Sequence, residues 1–107
     1  MGFKRKGWRA QVNCTGRLER GTLSVPCKVV DVSEDGVRLD SRMLVKTGDT
    51  VQLVIEVAPE KVVTCQLQVV YVRSQRLGGR IVSISQKDKE RLTQFLDDRV
   101  LSNFSRR

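Results

Sequence analysis

The strongest constraint on the fold of this 107-residue chain is its apolar periodicity, which is two over most of its length and changes to three and four only near the end. Side chains alternate across an extended backbone, so a period of two predicts half-buried strands. From Ala10 to Leu18, the apolar Ala10, Val12, Cys14 and Leu18 stand against Gln11, Asn13, Thr15 and Arg17. Gly21 marks a turn, and a second strand runs from Leu23 to Val32. Pro26 within it implies an edge position or a bulge, because proline cannot donate to the ladder. The apolar phase also slips at Val29-Val30, as a bulge would require.

Val37 and Leu39 alternate with Arg38 and Asp40 in a short third strand, and Thr47-Gly48-Asp49 reads as a turn. Val51 to Val57 makes a fourth strand, which Ala58-Pro59-Glu60 ends. In the long run from Val62 to Arg73, Val63, Cys65, Leu67, Val69 and Tyr71 share one face; Gly78-Gly79 then opens a last strand, Arg80 to Ile84. Short, evenly spaced strands with no helix between them predict an antiparallel barrel or sandwich. The final segment is different. Ser85 with Asp88 three residues later resembles an N-cap, and Leu92, Phe95, Leu96 and Val100 follow at helical spacing. This amphipathic helix is expected to close one end of the β-structure or lie against its side. The chain thus reads as one domain: a basic, mobile arm at 1–9, the β-structure at 10–84 and a helix at 85–104.

Charge and composition narrow the function. Twenty Lys and Arg against twelve Asp and Glu give a formal net charge of +8, which favours an anionic partner. Histidine is absent, so the usual general base is missing, and the three cysteines include no Cys-x-x-Cys pair. Neither an enzyme nor a metal site is expected, and no cofactor. Cys14, Cys27 and Cys65 each fall in phase with apolar neighbours and read as buried free thiols. The chain has no long apolar run, and Met1 to Arg9 lacks the apolar segment of a signal peptide, which points to the cytoplasm.

One stretch has more chemistry than a turn requires. In Asp31-Val32-Ser33-Glu34-Asp35-Gly36, alternation sets Val30 and Val32 on one face and Asp31 and Ser33 together on the other, beside a tight turn in which Gly36 is expected at positive φ. A carboxylate, a hydroxyl and open backbone N–H groups make a grip for a polar ligand. Each residue also has a plainer role: Asp31 and Ser33 can cap the turn, and the arm's charges can simply be solvated.

Arg5-Lys6-Gly7-Trp8-Arg9 fits Arg-x-x-x-Arg, and Asp31 to Gly36 fits Asp-x-Ser-x-x-Gly, with the two in order around a strand pair. Together they resemble the two-part signature of PilZ domains, bacterial receptors for cyclic di-GMP. The resemblance covers nearly the whole chain, although Ile81 stands where the family often has Phe. It implies a six-stranded antiparallel β-barrel of the PilZ split-barrel type with a C-terminal helix. It also implies a cyclic di-GMP site made of Arg5, Arg9, Asp31, Ser33 and Gly36. Arginines offer planar forks for phosphate and purine, and Asp31 is an acceptor suited to the guanine N1–H and N2–H₂ edge. Lys4, Lys6, Trp8, Arg38 and Arg80 are further candidate contacts. The expected output is closure of the arm over the ligand, making a surface for a protein partner or a fused effector domain. Two other functions compete: a basic barrel binding single-stranded nucleic acid, disfavoured because the strands carry no evident aromatic platform, and an adaptor that needs no ligand.

Overall fold

The computed structural model of the chain describes residues 9–33 and 36–105, with the side chains of 10–33 and 36–98. Six strands are followed by one helix: β1 (Arg9–Arg20), β2 (Leu23–Ser33), β3 (Gly36–Ser41), β4 (Thr50–Ala58), β5 (Lys61–Arg73), β6 (Arg76–Ile84) and α1 (Gln86–Ser105). All neighbouring strands are antiparallel, and the order β1-β2-β3-β6-β5-β4 closes on itself through β4 and β1. Of the two architectures that the alternation allows, the chain forms the barrel. Closure gives each of the six strands two hydrogen-bonded neighbours.

The interior is filled from all six strands by side chains that include Leu18, Val29, Leu39, Leu53, Val63, Leu67 and Leu77, each at most 2 % exposed. Cys14, Cys27 and Cys65 are buried among them. Burial pushes the Cys27 thiol up to about 11 and the Cys65 thiol up to about 12. Both therefore pack as neutral, small hydrophobes.

Antiparallel order gathers the start of β1, the β2–β3 turn, the β4–β5 turn and the start of α1 at one end of the barrel. The helix closes that end. Ser85 caps it, its Oγ accepting from the Asp88 N–H at 3.1 Å and donating to the Asp88 carboxylate at 3.1 Å. Leu92 and Leu96, one turn apart, enter the barrel core, and Phe95 packs beside them. At the opposite end Met43 is buried, its N–H bonded to Ser41 Oγ, which itself donates to the Pro26 carbonyl. Gly48 makes the β3–β4 connection turn at φ 98°, where a Cβ would be strained.

Pairing departs from simple alternation in places that matter for the outer surface. Val30 is an extra residue in the β2·β3 ladder: Val29 pairs with Leu39 while Asp31 pairs with Arg38. Val29 and Val32 consequently point into the core, and Val30 does not share their face. Pro26 sits where β2 has β1 on one side and has outrun the β3 ladder, which starts at Cys27, so its missing N–H costs no bond there. Val70 breaks the β5·β6 register in the same way, since Val69 pairs with Gly79 and Tyr71 with Gly78. The sequence alternation places Tyr71 on the core face of β5; the bulge turns it outward instead, 37 % exposed. Nor do Gly78 and Gly79 open the last strand, which begins at Arg76 and holds both glycines in its interior.

Candidate functional site

One residue from each part of the Arg/Asp-Ser signature, Arg9 and Ser33, stands on one rung of the barrel. Arg9 is the first residue of β1, not the last of a separate arm, and pairs with Ser33 at the end of β2; two residues further in, Gln11 pairs with Asp31. Side chains of directly opposed residues in an antiparallel ladder are neighbours on one face. A separation of some twenty residues in sequence is thus reduced to a single cross-strand step. Lys4, Arg5, Lys6 and Trp8 lie outside the described residues, as does the side chain of Arg9.

Asp31 faces outward, as the alternation predicts, yet is not an open carboxylate. It is 2 % exposed, and Arg38, its partner on β3, grips both oxygens: Nε donates to Oδ1 at 3.2 Å and to Oδ2 at 2.9 Å, and Nη2 donates to Oδ2 at 2.7 Å. A two-pronged, charge-assisted contact of this kind fixes both side chains. Hydrogen bonding to Asp31, then the Asp31 charge, then hydrogen bonding to Tyr71 hold the Arg38 guanidinium above its ordinary value. Arg38 therefore stays a cation at every working pH.

Ser33 Oγ donates to the Gly36 carbonyl at 3.4 Å, across the turn. Gly36 is not at positive φ; among the described glycines only Gly21 and Gly48 are. Its requirement is space. A Cβ at Gly36 would stand 3.2 Å from the Gly79 carbonyl oxygen, because β3 and β6 approach closely where Gly36 pairs with Arg80. The sequence reading of Gly36 as a turn glycine is thus replaced by one of close approach between strands.

Next to these residues a shallow groove of about 290 Å³ crosses β3, β6 and β5. Its walls include Ser33, Arg38, Tyr71 and Arg80, and its floor is Gly36, Gly78 and Gly79. The registers explain the shape. One row across the strands reads Arg38, Gly78, Tyr71 and the next reads Gly36, Arg80, Gln68. The Tyr71 ring lies over Gly78 so closely that any Cβ there would collide with it. Arg80 Nη2 donates to Gln68 Oε1 at 3.2 Å. Two guanidiniums and an aromatic ring beside a glycine floor can receive a flat, anionic ligand, with hydrogen bonds at its edges and stacking on its face. Sequence reasoning missed Tyr71 and the two floor glycines; the Gly78-Gly79 doublet, after a strand that carries a bulge, was the available signal. Among the described residues no group of His, Cys, Asp and Glu is arranged to hold a metal ion, and no helix is long and apolar enough to cross a membrane.

The PilZ domain family model matches residues 3–98. The chain belongs to the PilZ domain family, whose members are receptor and adaptor domains for cyclic di-GMP. Among solved structures it is similar to the Bacillus subtilis inhibitor of motility, MotI/DgrA, with a TM-score of 0.76 at 14 % identity. The likeness covers 94 % of this chain and 53 % of that one, so the chain spans about half the length of that relative. It is also similar to the Legionella uncharacterized protein Lpg0364, with a TM-score of 0.52 at 12 % identity, covering 94 % of this chain and 99 % of that one. At such identities the likeness is one of fold. No curated protein matches the sequence.

Proposed function

We propose that this domain is a cyclic di-GMP receptor whose ligand is held between Arg5 and Arg9 on one side and Asp31, Ser33 and Gly36 on the other. The observation that supports the reading is the register of Arg9 opposite Ser33, at the same end of the barrel as Asp31 and Gly36. Asp31 accepts from the guanine N1–H and N2–H₂, Ser33 adds a hydrogen bond, and the arginines take phosphate oxygens or stack on a purine. Arg80 reaches the ligand from the groove, and Lys4 and Lys6 add attraction for its phosphates. Trp8 offers an indole ring that can stack on a base or fill a groove of the barrel.

Binding closes the arm over the barrel. Its like charges disfavour that closure until an anion stands between them, so the ligand supplies the differential interaction that a conformational change requires. The covered face and the ordered arm then form a surface for a partner protein or a fused effector domain. Inhibition of motility, the role for which the Bacillus subtilis MotI/DgrA is named, is one such output. Amide hydrogen exchange with and without cyclic di-GMP tests the closure. Slowed exchange in residues 1–8 is the expected result, and identical exchange would remove arm closure from the account. The outward Tyr71 supplies one aromatic surface of the kind that single-stranded nucleic acid uses, which is why an oligonucleotide belongs among the binding controls.

A further inference from the structure

We propose that Arg38 is an internal competitor for the guanine edge, which latches Asp31 in the free domain and has to leave before the ligand docks. The inference rests on the cyclic di-GMP reading and assigns to Arg38 a role that a simple ligand contact does not have.

The chemistry of the two edges is the same. Guanidinium Nε–H and Nη2–H run parallel from one side of a planar group, as do guanine N1–H and N2–H, and a carboxylate meets either pair with its two oxygens. Arg38 already makes this contact, with Nε and Nη2 on the two oxygens of Asp31 at 2.7–3.2 Å. Asp31 is 2 % exposed in that state, so no second planar edge can reach it. The arginine thus occupies Asp31 as the ligand would.

Arg38 also has a way out. Its side chain is 40 % exposed, against 3 % for that of Asp31, and it lines the open groove. It stands opposite Gly78, over which the Tyr71 ring lies, so its way out runs past that ring into the groove that both residues line. A released guanidinium entering the groove comes near Arg80 and needs an anion there, which the ligand phosphate provides. Ligand entry and latch release therefore favour each other.

A latch lowers the apparent affinity by the fraction of molecules in which it is open, and lowers the association rate by the same factor. If it is closed in roughly nine molecules of ten, removing it speeds association about tenfold. The test is rapid-mixing kinetics of cyclic di-GMP with the wild-type domain, Arg38→Met and Arg38→Lys. Methionine keeps the apolar stem and removes the fork; lysine keeps the charge but presents a point, not a fork. The association rate constant is expected to rise about tenfold in Arg38→Met and by a smaller factor in Arg38→Lys, while dissociation quickens in Arg38→Met because the contact of the released guanidinium with the phosphate is lost. Should Arg38→Met not fold, the lysine variant decides alone. An association rate equal to or below that of the wild type overturns the latch. Failure of the wild-type domain to bind cyclic di-GMP at all overturns the receptor reading itself, and is told apart from a flat rate comparison by its own control.

Discussion

Strand β3 takes part in two aspartate–arginine pairs that look alike in sequence and differ in their surroundings. Arg38 bonds to Asp31 of β2, and Asp40 bonds to Arg76 of β6. The two arginines are almost equally exposed, at 40 % and 42 %, but the Asp31 side chain is 3 % exposed and that of Asp40 is 40 % exposed. Asp31 stands just past the Val30 bulge, between β1 and β3, where Gln11 and Arg38 flank it. Asp40 lies between Lys28 and Arg76 nearer the other end of the barrel, in contact with water. A buried carboxylate needs donors around it in every state of the protein, so a ligand that takes one donor's place must bring its own. A solvated pair has no such demand, and its contribution is correspondingly small. Burial thus separates the Asp31 carboxylate from that of Asp40.

The largest expected effect is on affinity. Asp31→Ala should weaken cyclic di-GMP binding at least ten- to a hundredfold, from the loss of a charge-assisted contact of roughly 1.5–3 kcal/mol, whereas Asp40→Ala should change it by less than about twofold. Equal losses in calorimetric titrations of the two variants would break the distinction. Asp31→Ala should also lower the melting temperature of the free domain by several degrees, because it leaves Arg38 without its main partner; Asp40→Ala should hardly move it.

A smaller effect sharpens the comparison at the rung between the two pairs. Gly78 is opposite Arg38, and Arg76 is opposite Asp40. In Gly78→Ala the new methyl group displaces the Tyr71 ring, which closes part of the groove floor. Affinity for cyclic di-GMP should fall several-fold while the Asp40–Arg76 pair is undisturbed; unchanged affinity would show that the ligand does not use the groove.

The smallest effect concerns protons. The hydrogen bond from Arg76 holds the Asp40 carboxyl below its ordinary value of 3.8. Because the folded value is depressed, the pair's contribution to stability is present above pH 3.8 and is lost as the pH falls through the lower, folded value. A carboxyl titration by NMR should place the Asp40 midpoint below 3.8 in the wild type and move it up in Arg76→Ala. Because the carboxylate is exposed, little of that shift should appear in the melting temperature.

Much of the barrel was legible in the sequence, since period-two alternation is a direct record of which side chains face inward. The end of β2, the breaker at Ala58-Pro59-Glu60 and the Ser85 cap could all be placed from residue chemistry. The bulges were legible only where they disturbed an apolar run. At Val29-Val30 two adjacent valines reveal the slip, but at Val70 the run Val69-Val70-Tyr71-Val72 is apolar throughout, so the same slip leaves no trace and alternation puts Tyr71 on the face of Val63, Cys65, Leu67 and Val69. Gly36 shows a similar limit: glycine before a strand reads as a turn residue, while the approach of β6 that requires it depends on a partner more than forty residues away. The Asp31–Arg38 contact was hidden for another reason. Both residues were candidate ligand contacts, and only the Val30 bulge, by setting Asp31 opposite Arg38, makes them partners.

The most direct test of the central claim is isothermal titration of the folded domain with cyclic di-GMP, with GTP and a short single-stranded oligonucleotide as controls, repeated in Arg9→Ala. The account predicts saturable binding of the cyclic dinucleotide alone, weakened at least tenfold in the variant. Absence of binding in a domain shown to be folded, or equal binding by wild type and Arg9→Ala, would contradict it and leave a PilZ domain that works as a ligand-free adaptor.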